Sequence, residues 1–330
     1  MKNYNIALVG CGTISFNHLT ALSKLDYVKV VALCDIKPER AEARRAEFGL
    51  SAKIYTDYYE MLEKEKLDAV HIATPHYLHM PMTVAALERD IYVCLEKPIC
   101  INREEIKILL EAEKKSRASV AVSFQTRYNT ANVIAKKIAD EDGIVSAYCS
   151  IFWQRTNEYY TESGWRGAYA TEGGGVMINQ AIHSIDHLIN LLGKPIAVTA
   201  TKANHKHKGI IEVEDTCEGM VEFENGLVGN FFATNAFRGT SRTSIFIKTN
   251  KRELEIRNSK LYIDDKLVED TESAGYLGKE VYGNGHLTLI QKFYEAIETG
   301  SEMPITLESA QWALRLLLAA YESNDERTLI

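Results

Sequence analysis

The chain of 330 residues carries a formal net charge of −7, with 25% charged and 46% hydrophobic residues, the balance of a globular protein long enough for two domains. An acidic chain of this kind lacks the basic face that a general nucleic-acid binder needs, and no apolar run in it reaches the length of a membrane span. The six cysteines, at positions 11, 34, 94, 100, 149 and 217, form no CxxC pair, so reduced and mostly buried thiols in a cytoplasmic protein are expected.

Met1-Lys2-Asn3-Tyr4 leads straight into an apolar run, and no signal peptide is expected. Ile6–Val9 reads as a strand and His18–Leu25 as a helix. Val30–Cys34 is a second strand, and Pro38–Phe48 a helix with proline in its first turn and Gly49 at its end. Ala69–Ala73, Ile91–Leu95 and Val120–Val122 are further strands, separated by helices at Pro81–Arg89 and Arg103–Ser116. Fully apolar strands alternating with helices mean a parallel sheet covered on both faces, a doubly wound nucleotide-binding fold.

The pattern then changes. Val145, Ala147, Cys149, Ile151 and Trp153 alternate with more polar residues, as do Cys217, Gly219, Val221 and Phe223. Asn225-Gly226 follows and leads into Leu227–Ala233, a hairpin signature. Lys260–Ile263, Asp264-Asp265 and Lys266–Val268 read as a second hairpin, and helices return at His286–Glu298 and Leu307–Ser323. The fold class is therefore α/β: a Rossmann domain over residues 1–123, then an α+β domain over 124–330 with an open, largely antiparallel sheet. An open sheet with one uncovered face is a liability in a soluble monomer, so a homo-oligomer packed through that sheet is expected.

Gly10-Cys11-Gly12-Thr13-Ile14-Ser15 fits GxGxxG except for the final serine. The first glycine permits the turn, the second lets backbone approach a pyrophosphate at the helix N-terminus, and the last place needs only a small residue. Asp35, at the end of the next strand, would hold the adenosine ribose hydroxyls and repel a 2′-phosphate, which favours NAD over NADP.

Lys97 lies in Glu96-Lys97-Pro98 at the C-terminal end of a parallel strand, where such folds bind ligands. A lysine there can donate to a carbonyl oxygen or take a hydroxyl proton. A second constellation runs from Gly173-Gly174-Gly175 to His187. On a helical wheel Asn179, His183, Asp186 and Asn190 form a polar stripe beside an apolar arc. A histidine on such a stripe can be oriented for proton transfer, and the glycines permit close backbone approach to a ligand. His183 and His187 at i, i+4 also allow a metal reading, but HExxH is absent and no third ligand is obvious, so no metal is expected. His205 and His207 fall in a polar loop and are expected in solvent. Thr74-Pro75-His76 and His79 would border the cofactor. Arg155, Tyr159-Tyr160 and Trp165-Arg166-Gly167 suit a sugar or a phosphate.

Taken together, Gly10-Cys11-Gly12, Asp35, Ala73-Thr74-Pro75, Glu96-Lys97-Pro98, Trp165-Arg166-Gly167, the triple glycine and His183-x-x-Asp186 resemble the glucose-fructose oxidoreductase/inositol dehydrogenase (Gfo/Idh/MocA) family over essentially the whole length. The resemblance implies hydride transfer between nicotinamide and a hydroxyl carbon of a sugar, nucleotide sugar or cyclic polyol. It implies that Lys97 and His183 flank the reacting carbon with Asn179 positioning the oxygen, and that Lys97–Pro98 is cis. It implies NAD contacts at Gly10, Gly12, Thr13, Ile14, Asp35 and Ile36. Further contacts are implied at Thr74, Pro75, His79, Glu96, Gln125, Trp165 and Arg166. Substrate contacts are implied at Tyr128, Arg155, Tyr160 and Asp186, and dimers or tetramers through the open sheet.

One departure stands out. Polyol dehydrogenases of the family carry aspartate where this chain has Asn179, and asparagine cannot stabilise a histidinium by charge. The run Asn179–His183, with Arg155, Tyr160 and Trp165-Arg166-Gly167, looks more like the branch of UDP-N-acetylglucosaminuronate 3-dehydrogenases. Relatives that cleave glycosides with recycled NAD, and sugar-sensing regulators of the same fold, supply two alternative activities.

Overall fold

The computed structural model describes residues 2–270 and 284–330, and the chain forms two compact units. The first comprises Met1–Cys100, Glu104–Gln125 and His286–Ala310; the second comprises Ile101–Arg103, Thr126–Gly285 and Gln311–Ile330.

In the first unit, β1 (Tyr4–Val9), β2 (Val28–Cys34), β3 (Lys53–Tyr55), β4 (Ala69–Ile72), β5 (Tyr92–Leu95) and β6 (Val120–Val122) form one sheet in the order β3-β2-β1-β4-β5-β6. Every pair in it is parallel. All four residues of β4 and all three of β6 are buried, which is why these strands are apolar throughout rather than alternating. Helices at Ser15–Leu22, Pro38–Glu47, His79–Leu87 and Arg103–Lys115 connect them. The structure adds β3 and a helix at Tyr58–Lys64, capped by Asp57, whose side chain accepts from Glu60 N–H. Three half-exposed edge residues are too short a run for periodicity to reveal.

The expected boundary at 123/124 treats each domain as one stretch, whereas the first unit also takes residues 286–310. The reason is packing. The helix Gly285–Thr299 lays Ile290, Phe293, Tyr294 and Ala296 into the core formed by Ile6, Leu8, Leu22 and Leu33. Val122 N–H also donates to Ile305 O at 2.9 Å.

In the second unit, β7 (Ile144–Phe152), β8 (Pro195–Ala203), β9 (Thr216–Phe223), β10 (Val228–Thr234), β11 (Arg242–Thr249), β12 (Glu253–Arg257), β13 (Lys260–Ile263), β14 (Lys266–Asp270) and β15 (Thr328–Leu329) form a sheet in the order β14-β13-β12-β11-β7-β10-β9-β8-β15. Its pairs are antiparallel apart from β7 with β10. Gly226 and the Asp264-Asp265 pair take positive φ at the two expected hairpin turns. The helix Ile182–Leu192 packs on the inner face; a side chain at Gly229 on β10 would stand 2.8 Å from Leu192 and 3.2 Å from Leu188, so glycine lets helix and sheet approach. The outer face leaves Tyr148, Met220 and Val228 exposed, with Tyr148 stacked on Phe246 at 5.2 Å.

Because Phe293 is fully buried in the Rossmann core, Phe293→Ala is expected to destabilise the first unit by about 3–5 kcal/mol. Urea denaturation should show the loss there, and an unchanged midpoint would contradict the assignment of residues 286–310 to that unit.

Candidate functional site

In the first unit the residues expected to hold a nucleotide gather at the C-terminal ends of β2, β1, β4 and β5, where the strand order reverses between β1 and β4. Gly10 has φ +88°, and a Cβ there would lie 2.5 Å from the carbonyl oxygen of Ala73; only glycine lets the end of β1 pass so close to the end of β4. A side chain at Gly12 would meet no protein atom within 4 Å, so backbone faces open space where a pyrophosphate approaches in this motif. Thr13 is exposed and Ile14 half-buried beside it. Ser15, in the third glycine place, is buried; its hydroxyl donates to Gly12 O at 2.5 Å and accepts from Arg44 Nε at 2.9 Å.

Asp35 accepts from Cys11 N–H at 2.8 Å and Lys37 N–H at 2.9 Å. Two backbone donors thus fix the carboxylate between the glycine turn and the end of β2. The next residue, Ile36, is 83% exposed, an apolar surface beside the cradle. Thr74 and Pro75 are half-buried at the end of β4. Gln125 is buried, and its Oε1 has no hydrogen-bond partner.

Lys97 is half-buried and its peptide to Pro98 is cis. Behind it runs a buried chain. Glu96 Oε1 lies 3.0 Å from His18 Nε2, His18 Nδ1 lies 2.9 Å from His71 Nδ1, and His71 Nε2 lies 2.8 Å from the Tyr294 hydroxyl. Burial works against charge on His18, but Cys94 and Glu96 raise its pKa to about 10. Burial likewise opposes charge on Glu96, and His18 overrides it, holding the carboxyl down at about 2. Desolvation keeps His71 neutral. The consistent assignment has imidazolium His18 donating to Glu96 and to His71, which in turn donates to Tyr294. His18, His71 and Cys94 also bring ligand-type atoms within 4.8 Å of one another, but both histidines already use their ring nitrogens in this chain.

His79 needs correction as a cofactor contact. Its ring is fully buried, with Nδ1 2.6 Å from Pro98 O and Nε2 2.9 Å from Thr74 O. It ties the end of β4 to the corner that carries Lys97.

In the second unit the triple glycine serves packing rather than ligand approach. Cβ atoms at Gly174 and Gly175 would collide with the Tyr321 ring and with Glu214, and one at Gly173 would lie 2.8 Å from Ile101. The Glu214 carboxylate accepts from Gly175 N–H at 2.9 Å, Met177 N–H at 3.0 Å and Tyr321 Oη–H at 3.1 Å. Burial nevertheless pushes its pKa up to about 7. The following turn, Met177–Ala181, is π-helical, a widening common at functional sites. It shifts the angular step that the wheel assumed.

Asn179, His183 and Asn190 are half-buried, whereas Asp186 faces inward. Asp186 does not serve the expected pairing with His183 or a substrate: its two oxygens are held by Arg127 at 2.7 and 2.6 Å. Burial pushes the Asp186 carboxyl up, against the pull of Arg127. Tyr128 follows Arg127 and is half-buried. His187 turns into the core, where burial lowers its pKa to about 3, and neither ring nitrogen has a partner. His207 is also buried rather than solvated, 3.3 Å from Asp215 and 3.1 Å from Arg155 O. Tyr160 is spent in packing on Ile211 and Val213, its hydroxyl accepting from Asn235 at 3.0 Å, so it braces the site instead of offering a substrate contact.

Beside Asn179 stands a ladder of alternating rings and guanidinium groups. Arg155 lies 4.5 Å from both the Trp153 and Tyr159 ring centres, and Arg166 lies 4.4 Å from Tyr159 and 4.7 Å from Trp165. The Nε atoms of both arginines are buried and have no hydrogen-bond partner among the described residues. Sequence reasoning named most of the ladder but missed Glu172, which is buried directly before the glycines. One oxygen of Glu172 accepts from Gly167 N–H at 2.6 Å and the other from Asn179 Nδ2 at 2.5 Å. Its only signal in the sequence was adjacency to the glycine run. Arg127, His18 and Glu214 were missed for want of any motif.

Models of the two domains of one family match this chain: the oxidoreductase family with NAD-binding Rossmann fold over residues 4–124, and the GFO/IDH/MocA C-terminal domain over residues 142–255. The chain belongs to the Gfo/Idh/MocA oxidoreductase family, and its first unit is that family's NAD-binding Rossmann domain. It is 34% identical over 139 residues to the inositol 2-dehydrogenase of Salmonella typhimurium, a match covering 42% of this chain and 41% of that enzyme. To the levoglucosan dehydrogenase of Pseudarthrobacter phenanthrenivorans it is 26% identical over 280 residues, 74% of this chain and 71% of the relative. The WlbA dehydrogenase from Bordetella pertussis, solved in complex with NADH and UDP-GlcNAcA, superposes with a TM-score of 0.88 at 28% identity, covering 100% of this chain and 98% of that one.

Arg127→Ala would leave the Asp186 carboxylate buried on the helix Ile182–Leu192 without the cation that compensates it. The expected loss is about 3–5 kcal/mol of stability, read by urea unfolding. A wild-type midpoint would show that the pair does not hold the helix Ile182–Leu192.

Proposed function

We propose that the protein is an NAD-dependent dehydrogenase acting on a hydroxyl-bearing carbon of a sugar, nucleotide sugar or cyclic polyol. The observation that carries this reading is the placement of the Gly10–Gly12 turn, Asp35 and Lys97 at the C-terminal ends of β1, β2 and β5 of one parallel sheet. The residues fit the cofactor: backbone at Gly12 faces open space, Asp35 is fixed to accept ribose hydroxyls, and Ile36 offers an apolar surface for a base. Thr13, Ile14, Thr74, Pro75 and Gln125 complete the set assigned to its binding in the first unit. Bound NAD supplies the hydride acceptor.

The chain's own work is proton handling and orientation. Lys97 takes the hydroxyl proton, and the neighbouring carboxylate Glu96 pairs with the His18 ring behind it. His183 is the alternative acid–base group, and Asn179 positions the substrate oxygen. Arg155 and Arg166 carry two stacked cations in one cluster, which favours an anionic member of the class, such as a nucleotide sugar bearing a carboxylate. Tyr128 lines the same binding region.

The similarity to inositol, levoglucosan and UDP-sugar dehydrogenases supports the reaction class. Homo-oligomers form through the outer sheet face, where Tyr148, Met220 and Val228 are exposed. A reducing compartment such as the cytoplasm suits six unpaired cysteines. No helix among the described residues is long and apolar enough to cross a membrane.

Incubation with NAD⁺ and UDP-N-acetylglucosaminuronate, myo-inositol, levoglucosan and an aryl glycoside is expected to give NADH absorbance with a sugar alcohol, most strongly with the anionic one. Aryl glycoside cleavage without net NADH would move the protein to redox-assisted glycosidases. Sugar binding with no turnover would make it a sensor. Lys97→Met is expected to lower kcat at least about 100-fold while NAD affinity, measured by fluorescence titration, stays within a few fold. Tyr148→Lys is expected to shift the sedimentation coefficient toward the monomer.

A further inference from the structure

The glycine turn of the Rossmann unit is held from two sides by one segment, β2 and the helix Pro38–Glu47 that follows it. Asp35, at the end of β2, accepts from Cys11 N–H at 2.8 Å. Arg44, in the last turn of the helix, grips the next residue by its carbonyl: Nη2 donates to Gly12 O at 3.1 Å. Arg44 Nε donates to the Ser15 hydroxyl at 2.9 Å, and that hydroxyl donates to the same Gly12 O at 2.5 Å. A guanidinium only donates, so the hydroxyl must accept from it and has one proton left for the carbonyl. The remaining nitrogen, Nη1, donates to Glu47 at 2.5 Å, and the guanidinium carbon lies 5.7 Å from the Phe16 ring centre. Ser15 is fully buried and the Arg44 side chain only 20% exposed, so water competes little for these contacts.

The consequence lies across a peptide bond. A trans peptide is planar, with its C=O and N–H pointing opposite ways. Two donors on Gly12 O therefore fix the direction of Thr13 N–H, which leaves from the other side of the turn in an exposed residue. Glycine alone does not fix it, because its backbone adopts conformations closed to other residues. A flipped peptide would turn its carbonyl oxygen toward an approaching anion, and the two would repel.

We infer that Arg44 is a positioning residue for the cofactor: with Ser15 as its bridge it locks the Gly12–Thr13 peptide, so that the N–H and not the carbonyl serves the pyrophosphate of the dinucleotide. The inference rests on the nucleotide-binding reading of the first unit. Serine in the third glycine place is then a working part of the turn. A glycine there would leave Arg44 Nε without its acceptor and Gly12 O with one donor. Arginine is needed for shape as well as charge, since Nε and Nη2 lie along one edge of a planar fork and reach two acceptors in parallel, which an ammonium does not reproduce.

Calorimetric titration tests this with NADH, with ADP-ribose, which keeps the pyrophosphate, and with adenosine, which lacks it. Ser15→Ala keeps a small residue at the helix start and removes the hydroxyl. It is expected to weaken NADH and ADP-ribose about 10-fold and to leave adenosine within about 2-fold. Ser15→Gly, which completes GxGxxG, is expected to bind ADP-ribose more weakly than the wild type, not more tightly. Arg44→Lys retains the charge and is expected to lose about as much as Ser15→Ala. The double variant Ser15→Ala/Arg44→Lys is expected to lose little more than either alone, because both act through one carbonyl.

Equal losses for adenosine and ADP-ribose would overturn the inference, since a general loosening of the domain does not discriminate between them. So would wild-type ADP-ribose affinity in Ser15→Ala, or losses that multiply in the double variant. If adenosine binds too weakly to titrate, the double variant decides; if Arg44→Lys fails to fold, Ser15→Ala and Ser15→Gly decide. A wild type that binds neither NADH nor ADP-ribose would sink the nucleotide reading and this inference with it, whereas tight binding that the variants leave unchanged would sink the inference alone.

Discussion

A carboxylate taken out of water must find donors, and in this protein that requirement shapes the loops of each unit. Asp35 takes two backbone N–H groups, Glu214 two and a tyrosine hydroxyl, Asp215 those of His205, Lys206 and His207. Glu172 takes one from Gly167 and one amide from Asn179. Asp35 and Glu214 join segments far apart in sequence and Asp215 and Glu172 join nearer ones, and the joints lie in loops or helix starts rather than in regular structure. Loop backbone cannot satisfy itself as strands and helices do. A buried acid is the inverse, a surplus of acceptors. Pairing the two surpluses fixes irregular segments without adding a cation that would compete for an anionic substrate.

Glu96 departs from that pattern and does so next to Lys97. Its main donor is the His18 ring, backed by His71 and Tyr294. The Lys97 ammonium, one residue away, adds its charge to that of His18 in holding the Glu96 carboxyl down. The range 286–310 joins the same chain within the Rossmann unit: the Tyr294 hydroxyl ends it beside His71, and Phe293 packs edge-on against the His71 ring.

The parallel sheet was legible because burial on both faces writes itself as unbroken apolar runs, as in Ala69–Ile72 and Val120–Val122. Elements whose reasons lie in tertiary packing were not. The edge strand Lys53–Tyr55 is half exposed and three residues long, and β8, β11 and β12 carry mixed patterns that only their neighbours resolve. Gly10, Asp35 and Lys97 could be placed at strand ends because motif and element order coincide. His79, Tyr160 and Asp186 sit beside such motifs, yet their polar atoms are taken by backbone, Asn235 and Arg127. Adjacency to a motif identifies a neighbourhood; hydrogen-bond partners decide which residues in it remain available to a ligand.

The same distinction bears on the helix that follows the glycines. A helical wheel assigns faces from a constant step, and a π turn at Met177–Ala181 breaks the step where function would need it. The extra residue is tolerable because Glu214 supplies acceptors for the displaced N–H groups and because glycine at 174 and 175 leaves room for Tyr321 and Glu214. The glycine run, the buried acid and the widened turn are thus one device. Remove the acid and the N–H groups at the start of the turn have no acceptor; enlarge the glycines and the acid cannot reach them. What the device carries is a half-buried Asn179 whose Nδ2 donates to Glu172 Oε1, a contact that periodicity could not show because it lies off the helical wheel.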